Sequence, residues 1–334
     1  MSDILHRRTW LARAGVLSAG WSLGATWGTS SWAQSNWPNG PVKFVHGYPA
    51  GQTPDILARQ IGPSFSEQTG VPWIVDPRPG GGERLAANQM AQLAKQPADG
   101  QTIYQMTGGL TVISAVDKSV QFDLLRDFTF ISMLTQYPFV FWVSSQSPFK
   151  TLSDMLDFAR KNPGKISYGT SGVGNTLHMS VELMSYMTGT QMTHVPYKGP
   201  TAYTDVAAGI LDMAVGTFAV GRGLYKEGRI RPLAVTSPKR WMEWNEIPAV
   251  AETVPGYEVV TWAALCAPGK LSNDLRDRIN KITRTTMTKP EIVATIEGSG
   301  AMATPNSPDE MRLRVQNDIA KWKKVADHAK ISLD

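Results

Sequence analysis

The chain of 334 residues has little cysteine, little charge and, beyond its first 33 residues, no long apolar run. Its single cysteine, Cys266, excludes a disulfide framework and any metal site built from several thiolates. No later apolar run approaches the roughly 20 residues that span a bilayer. Charged residues make up 18% and hydrophobic residues 42%, which is a globular composition. The net charge of +5 is spread without a basic block, so we expect no nucleic-acid partner.

Motifs of common enzyme classes are also missing. Gly172-Val173-Gly174 lacks the third glycine of a dinucleotide fingerprint, and there is neither a P-loop nor a Gly-x-Ser-x-Gly elbow. His178 and His194 do not have the spacing of a metal pair. Cys266 lies in an apolar run, which favours a buried side chain over a nucleophile. We therefore expect no catalytic residues, no metal and no cofactor, in a protein that is not an enzyme.

Residues 1–33 have the layout of a bacterial export signal. Three arginines form a positive start, residues 14–27 are mildly apolar, and a small-x-small cleavage site ends at Ala33. The pair Arg7-Arg8 also resembles the start of a twin-arginine signal. We expect cleavage near Ala33 and a periplasmic mature protein, the alternative being an amphipathic surface helix.

Strand and helix patterns alternate from residue 34 onwards in two series, and the length suits about two domains. The first helix is predicted to use Thr53 as its cap and Pro54 at its first position, and to end at Gly70. Apolar runs at 130–143 and 259–267 separate the two series and favour crossings between two α/β units. Strands are predicted at 42–45, 73–75, 102–104, 166–168, 192–195, 213–215 and 233–235. Further helices are predicted at 85–95, 152–162, 176–187, 274–288, 291–297 and after the capping box at Ser307.

Ligands of such folds lie in a cleft at the carboxyl ends of the strands, where this chain has four glycine-bearing turns. They are residues 47–53, 77–82, 107–109 and 170–175. Glycine lets the backbone come close to a ligand, and each following helix adds a partial positive charge. Hydroxyl groups within or just after these turns add neutral donors. Together the turns favour a carboxylate ligand, although each one alone is equally an ordinary connection between strand and helix.

Several side chains near these turns have two readings. Tyr48 is expected either to stack on or hydrogen-bond to a ligand, or only to pack as a wall residue of the first α/β unit. His178 contacts the ligand, or is a packing or capping group of its helix. The Tyr197-Lys198 pair faces an anion at the cleft edge, or makes a surface or closure contact.

At these turns the chain resembles the periplasmic solute receptors of tripartite tricarboxylate transporters, the Bordetella uptake receptor family. The matching stretches keep their order over nearly the whole chain after residue 33. They are Trp37-Pro38, Pro41-Val42-Lys43-Phe44-Val45, Asp55-Ile56-Leu57-Ala58-Arg59, Arg78-Pro79-Gly80-Gly81-Gly82, Ala98-Asp99-Gly100-Gln101-Thr102, Asp127-Phe128, Asn162-Pro163-Gly164-Lys165, Ser171-Gly172-Val173-Gly174 with His178, His194-Val195-Pro196-Tyr197-Lys198-Gly199, Ala234-Val235-Thr236-Ser237 with Lys239-Arg240, and Pro248-Ala249-Val250-Ala251-Glu252.

The resemblance implies a two-domain, type II periplasmic binding fold in which each domain is a mainly parallel sheet flanked by helices and two crossing strands form the hinge. Domain 1 would comprise 34–138 plus 262–334, and domain 2 would comprise 139–261. It implies a monomeric receptor that binds a small organic acid by cleft closure and delivers it to membrane permease subunits. The turns and the resemblance together give the candidate ligand-binding residues Tyr48, Ala50, Gly51, Gln52, Thr53, Asp55, Gly82, Thr107, Gly108, Ser171, Gly172, Val173, Gly174, Asn175, His178, Tyr197, Lys198, Thr217 and Phe218.

The chain departs from the family pattern at two places. Its first loop reads Pro-Ala-Gly-Gln-Thr-Pro-Asp over residues 49–55 where the family usually has Pro-Gly-Gly. Residues 216–218, Gly-Thr-Phe, replace an acidic-Asn pair and offer a wider pocket with a ring face. These changes favour an aromatic acid over a small aliphatic one and leave di- and tricarboxylates open. A ligand-bound partner of a periplasmic signalling receptor is the alternative function, and a hydrolase or lyase has no supporting residues.

Overall fold

Two β-sheets flanked by helices organise the chain in this computed structural model, which describes residues 37–197 and 201–333. The predicted export signal at 1–33 and the candidate residue Lys198 lie outside the described residues. Within the described ranges no helix combines the length and the apolar character needed to cross a membrane.

The first sheet has six strands in the order β11-β4-β10-β3-β1-β2. Their bounds are β1 Val42–His46, β2 Trp73–Pro77, β3 Thr102–Thr107, β4 Phe128–Pro138, β10 Val260–Pro268 and β11 Met302–Ala303. The second sheet has five strands in the order β7-β6-β8-β5-β9. Their bounds are β5 Val140–Ser144, β6 Ser167–Thr170, β7 Thr193–Pro196, β8 Met213–Gly216 and β9 Ile230–Val235.

Helices cover both faces of each sheet. Their bounds are α1 Thr53–Thr69, α2 Arg84–Leu93, α3 Gly109–Val116, α4 Leu152–Lys161, α5 Thr176–Thr188, α6 Thr201–Ala207, α7 Phe218–Lys226, α8 Val250–Thr253, α9 Asn273–Met287, α10 Pro290–Glu297 and α11 Pro308–Ala329. Short 3-10 turns lie at Gly81–Glu83 and Met242–Trp244.

Most strands of each sheet run in one direction, as the sequence predicts. The exceptions are β10 and β11 in the first sheet, and β5 in the second, which run antiparallel to their neighbours. The first apolar run crosses between the sheets, with β4 ending at Pro138 and β5 beginning at Val140. The second run is β10, which lies between β4 and β3 in the first sheet. β5 and β10 each enter their sheet from the other sheet, at the edge where the parallel strands end, and therefore run against those strands; β11 is a two-residue strand that follows α10.

The first helix is followed by Gly70 in the left-handed conformation, as predicted. The assignments of Thr53 as its cap and of Pro54 as its first residue are wrong by one position, because Thr53 is already the first helical residue. Gln52 occupies the cap position, and its side chain makes no capping hydrogen bond. Asp55 instead contributes negative charge to the first turn, where the helix dipole is positive.

Helix α3 was not predicted from the sequence. Its residues are hydrophobic nearly all round because it is packed against both cores, with Leu110 in a core of the first sheet and Val112 in a core of the second. A helix buried on all sides has no polar face, so it lacks the period that reveals an amphipathic helix.

Helix α11 also joins the two cores. Its predicted capping box is present, with Ser307 accepting from the Glu310 N–H. Met311 and Val315 pack against the first sheet, whereas Trp322 and Val325, further along the helix, pack with residues of the second sheet. One continuous helix is therefore anchored in both hydrophobic cores.

Gly216, at the end of β8, leaves space for the buried Tyr203. A Cβ atom at Gly216 would lie 1.7 Å from the Tyr203 hydroxyl oxygen. We expect Gly216→Ala to lower the free energy of unfolding by about 1–3 kcal/mol through overpacking. Gly223→Ala is the control, because a Cβ there meets no atom within 4 Å. Inside α7 it should raise stability by about 0.5–1 kcal/mol. Chemical denaturation measures both, and equal effects would contradict this explanation.

Candidate ligand-binding site

Three hydroxyl groups from both sheets converge on Gly109, the first residue of α3. A Cβ atom at Gly109 would lie 3.3 Å from Thr107 Oγ1, 3.6 Å from Tyr48 Oη and 3.9 Å from Thr176 Oγ1. Thr107 ends β3 and Tyr48 follows β1, whereas Thr176 begins α5 after a strand of the second sheet. The carboxyl ends of strands from the two sheets therefore face each other here, as the sequence predicts for a ligand cleft.

Two helices begin at this point. The N–H groups of the first turn of a helix have no partner within the helix, and the helix dipole makes this end positive. Gly109 at the start of α3 and Thr176 at the start of α5 bring two such ends together. Backbone donors, a positive dipole and neutral hydroxyl groups are a suitable environment for a carboxylate.

The first loop is held in place by Asp55, which is only 2% exposed. Its carboxylate accepts from the Gly51 N–H at 2.8 Å, from Arg59 Nε at 2.9 Å and from His46 Nε2 at 3.1 Å. The Arg59 guanidinium is the main reason that the pKa of Asp55 is lowered to about 2. Asp55 and the Gly51 N–H are thus engaged within the protein, while the side chains of Ala50, Gln52 and Thr53 are exposed at the loop.

His46 links this anchor to Tyr48. The Tyr48 N–H donates to His46 Nδ1 at 3.3 Å, so the ring proton is on Nε2, which donates to Asp55. A second ring proton would face the Tyr48 N–H. Burial lowers the pKa of His46, which agrees with this neutral form. The histidine therefore fixes the backbone of the residue whose hydroxyl group reaches the cleft.

The second loop is supported in the same way by His178. His178 Nδ1 accepts from the Gly174 N–H at 3.0 Å, and the His178 N–H donates to the side chain of Asn175 at 2.9 Å. Asn175 is thus the cap of α5, and its amide also donates to Ser171 Oγ at 2.9 Å. The Thr170 side chain also fixes this loop, because its Oγ1 donates to the Gly172 carbonyl at 3.1 Å. The capping and packing reading of His178 matches these contacts.

His178 is stacked on His194, with ring centroids 4.0 Å apart. Burial lowers the pKa of His178 to about 3 and that of His194 to about 4. His194 Nε2 lies 2.7 Å from Thr170 Oγ1, at the end of β6. The pair is therefore a neutral aromatic support under the second loop.

The other candidate residues lie around these two loops. Tyr197 packs against Gly169, and its hydroxyl group donates to Asp205 at 2.7 Å within the second sheet's helical layer. The Gly108 N–H donates to the Trp262 carbonyl at 2.9 Å. The side chain of Val173 is 48% exposed, and Gly82 is exposed in a left-handed conformation beside Ile113.

An apolar pocket of about 750 Å³, including the space at its open side, lies between α1 and the start of α7. Thr217 and Phe218 both line it, and the ring of Phe218 stacks on Trp244 with centroids 4.0 Å apart. No charged side chain is among its described lining residues. They are Thr53, Ile56, Leu57, Gln60, Thr135, Tyr137, Pro138, Thr217, Phe218, Ala219, Trp244, Ile296, Ser299, Gly300 and Ala301.

Glu83 is a further buried residue beside the site, and it belongs to none of the motifs described above. Its carboxyl group accepts from Tyr104 Oη at 2.7 Å, and from the N–H and Oγ1 of Thr107 at 3.1 Å and 2.5 Å. Burial raises the pKa of Glu83 to about 7. An acidic residue directly after three glycines was the available signal, but its burial depends on how the loop folds back over β3. Among the described residues, no group of three or more His, Cys, Asp or Glu is placed to hold a metal ion.

Comparison with known proteins gives consistent matches over most of the chain. The model of the tripartite tricarboxylate transporter family receptor matches residues 57–331. The UPF0065 protein in the tcbD-tcbE intergenic region of Pseudomonas sp. (strain P51) is 30% identical over 291 residues, which is 86% of each chain. Protein BugT of Bordetella pertussis is 23% identical over 290 residues, covering 86% of this chain and 88% of BugT.

Among solved structures, R. palustris Rpa4515 with adipate superimposes with a TM-score of 0.76. It is 33% identical in sequence, and the match covers 89% of this chain and 99% of Rpa4515. The match extends over both sheets, in agreement with the two-domain, type II fold class that the sequence predicts.

The neutral form of His178 makes stability depend on pH. An unfolded histidine takes up a proton below about pH 6.5, whereas folded His178, with its lowered pKa, does not. Because the unfolded state then binds more protons, the free energy of unfolding falls as the pH falls, by up to about 1.4 kcal/mol per pH unit. In His178→Asn the amide oxygen can still accept from Gly174 but does not titrate. We expect the wild type to lose stability more steeply than this variant from about pH 6.5 to pH 5. Chemical denaturation at each pH measures the free energy of unfolding, and an equally steep fall in both proteins would contradict this prediction.

Proposed function

Because the chain belongs to the tripartite tricarboxylate transporter receptor family, we propose that it binds a small organic carboxylate in the cleft at Gly109 and delivers it to membrane permease subunits. Receptors of this family are periplasmic and bind solutes rather than transform them. The convergence of Thr107, Tyr48 and Thr176 on the start of α3 is the observation that carries the proposal. It supplies neutral donors from both sheets to one small volume.

We propose that the two sheets are the cores of two domains that close over the ligand. Domain 1 comprises 34–138 plus 262–334, and domain 2 comprises 139–261, with hinges at the two crossings. The contribution of hydroxyl groups from both sides supports closure, because a ligand held by Tyr48 and Thr176 favours the form in which they are close. We also propose that residues 1–33 are an export signal and that the receptor is a monomer.

We propose that the part of the ligand beyond its carboxylate group is apolar or aromatic. The pocket beside α1 is lined by Ile56, Phe218 and Ile296, together with other residues that carry no charge. A second carboxylate placed there would be desolvated without a cation to compensate it. Thr53 lines this pocket and belongs to the same loop as Tyr48, so the pocket adjoins the loop that carries the proposed carboxylate site. Rpa4515 holds adipate, whose methylene chain suits such a pocket but whose second carboxylate would find no cation there, so we expect adipate to bind this chain more weakly than benzoate.

Gly109→Ala tests the carboxylate site. The added methyl group would lie among the three hydroxyl groups, so we expect benzoate and adipate to bind about tenfold more weakly or worse, a loss of about 1.4 kcal/mol. Calorimetric titration measures the affinity, and native mass spectrometry of freshly purified protein shows any retained acid. Gly62→Ala is the matched control, because a Cβ at Gly62, within α1, meets no atom within 4 Å. Undiminished affinity in Gly109→Ala, or a retained nucleotide, would refute the proposed site.

Ile56→Asn tests the apolar pocket. Ile56 lines the pocket and is 47% exposed, so a polar substitution there should not disturb the core. We expect benzoate affinity to fall several-fold, by roughly 1 kcal/mol, while the affinity for malate, which is short and polar, changes little. Ile210→Asn, at an exposed position outside the pocket, is the control. An equal loss for both acids would argue against an apolar subsite.

A further inference from the structure

Glu83 is a carboxyl group buried directly behind the proposed carboxylate site. Its side chain has no exposed surface. Gly47 packs against it so closely that a Cβ at Gly47 would lie 2.4 Å from Glu83 Cγ. On the other side, Tyr104 and Thr107 of β3 supply three hydrogen-bond donors. The carboxyl group is therefore held in one position by backbone packing and by hydrogen bonds.

The groups around Glu83 do not offset a negative charge. Tyr48, Tyr104, Tyr137 and Cys266 face it from the loop after β1, from β3, from β4 and from β10, and burial keeps all four neutral by raising their pKa. The neighbouring Arg84 is paired with Asp117. No cationic side chain among the described residues forms an ion pair with Glu83. A buried carboxyl group in these surroundings favours the protonated form.

The hydrogen-bond chain from Glu83 to the cleft determines which way the Tyr48 hydroxyl points. With Glu83 ionised, the single hydroxyl proton of Thr107 is donated to the carboxylate at 2.5 Å. The Tyr48 hydroxyl, 3.0 Å from Thr107 Oγ1 and also beside Glu83, then donates inwards, to Thr107 or to the carboxylate itself. Only lone pairs of Tyr48 would face the cleft, and these repel a ligand carboxylate.

With Glu83 protonated, the chain runs in the opposite direction. Oε2 of Glu83 donates to Thr107, Thr107 donates to Tyr48, and the Tyr48 proton becomes free to donate into the cleft. Oε1 still accepts from Tyr104 and from the Thr107 N–H, so no buried group loses its partner. The same heavy-atom positions thus serve both states, and one proton at Glu83 distinguishes them.

We propose that Glu83 is the positioning residue for the Tyr48 hydroxyl, and that the receptor binds its carboxylate ligand together with one proton held on Glu83. The inference rests on the proposed function, because it requires an anion beside Tyr48. The proton comes from solvent, and its charge cancels the charge that the ligand carboxylate brings into the cleft. Binding of a monocarboxylate such as benzoate therefore adds no net charge to the site.

Calorimetric titration with benzoate and with adipate tests this coupling. In buffers of different ionisation enthalpy at about pH 8, we expect the uptake of nearly one proton per ligand, declining towards about pH 6 as free Glu83 becomes protonated. Affinity should fall about tenfold per pH unit above the pKa of Glu83. In Glu83→Gln the amide donates to Thr107 permanently, so binding should take up no proton and should vary little over the same range.

Asp212→Asn is the matched control. Asp212 also accepts from the N–H and the hydroxyl group of one residue, Ser167, at 2.8 Å and 2.7 Å, but at the opposite ends of β6 and β8 from the cleft. This variant should keep the proton uptake of the wild type. Binding without proton uptake in the wild type, or an unchanged pH profile in Glu83→Gln, would overturn the inference alone. If neither benzoate nor adipate binds to the wild type or to Glu83→Gln at about pH 6, both the inference and the proposed function would be overturned.

Discussion

The burial of polar side chains behind the cleft loops is the constraint on which the site depends. A carboxylate such as Asp55 can lie in the interior only if donors satisfy it, and the donors it takes are Arg59, His46 and the Gly51 N–H. Satisfying Asp55 therefore fixes the course of the first loop. The loop carries Tyr48, so the position of a hydroxyl group in the cleft is set by a charge that does not face the cleft.

The two loops use the same arrangement. In each, a neutral histidine accepts from a loop N–H through Nδ1, His46 from Tyr48 and His178 from Gly174. The side chains behind the loops hold the backbone, while the positive ends of α3 and α5 come together at the cleft. Such a division suits a receptor that must release its ligand, because fixed neutral donors bind an anion without a formal ion pair.

The sequence predicted the parts of the fold that are governed by local pattern. The strand before Tyr48, the end of α1 at Gly70 and the capping box at Ser307 follow from alternation, a left-handed glycine and a known pair of residues. Helix α3 could not be recognised, because its burial on all sides removes the amphipathic period. Glu83 was missed for a different reason. Its importance arises from the contact with Thr107, 24 residues away, which no local pattern encodes.

Phe218 shows how a candidate residue can have an incompletely predicted environment. The sequence placed its ring at the pocket, and the structure stacks that ring on Trp244, far along the chain, so that one face is occupied. The pocket is consequently shaped by a pair of rings rather than by one free ring. Such pairs depend on how two loops pack, which the sequence does not reveal.

Helix α11 sets a limit on how the molecule can move. It is anchored in the first sheet's core through Val315 and in the second sheet's core through Trp322, so one continuous helix connects the two cores. A change in the angle between the sheets must then be absorbed within the two helical turns that separate these residues, by bending or by sliding along α5. If the proposed closure takes place, part of the free energy of ligand binding is therefore spent on deforming this helix or its packing on α5.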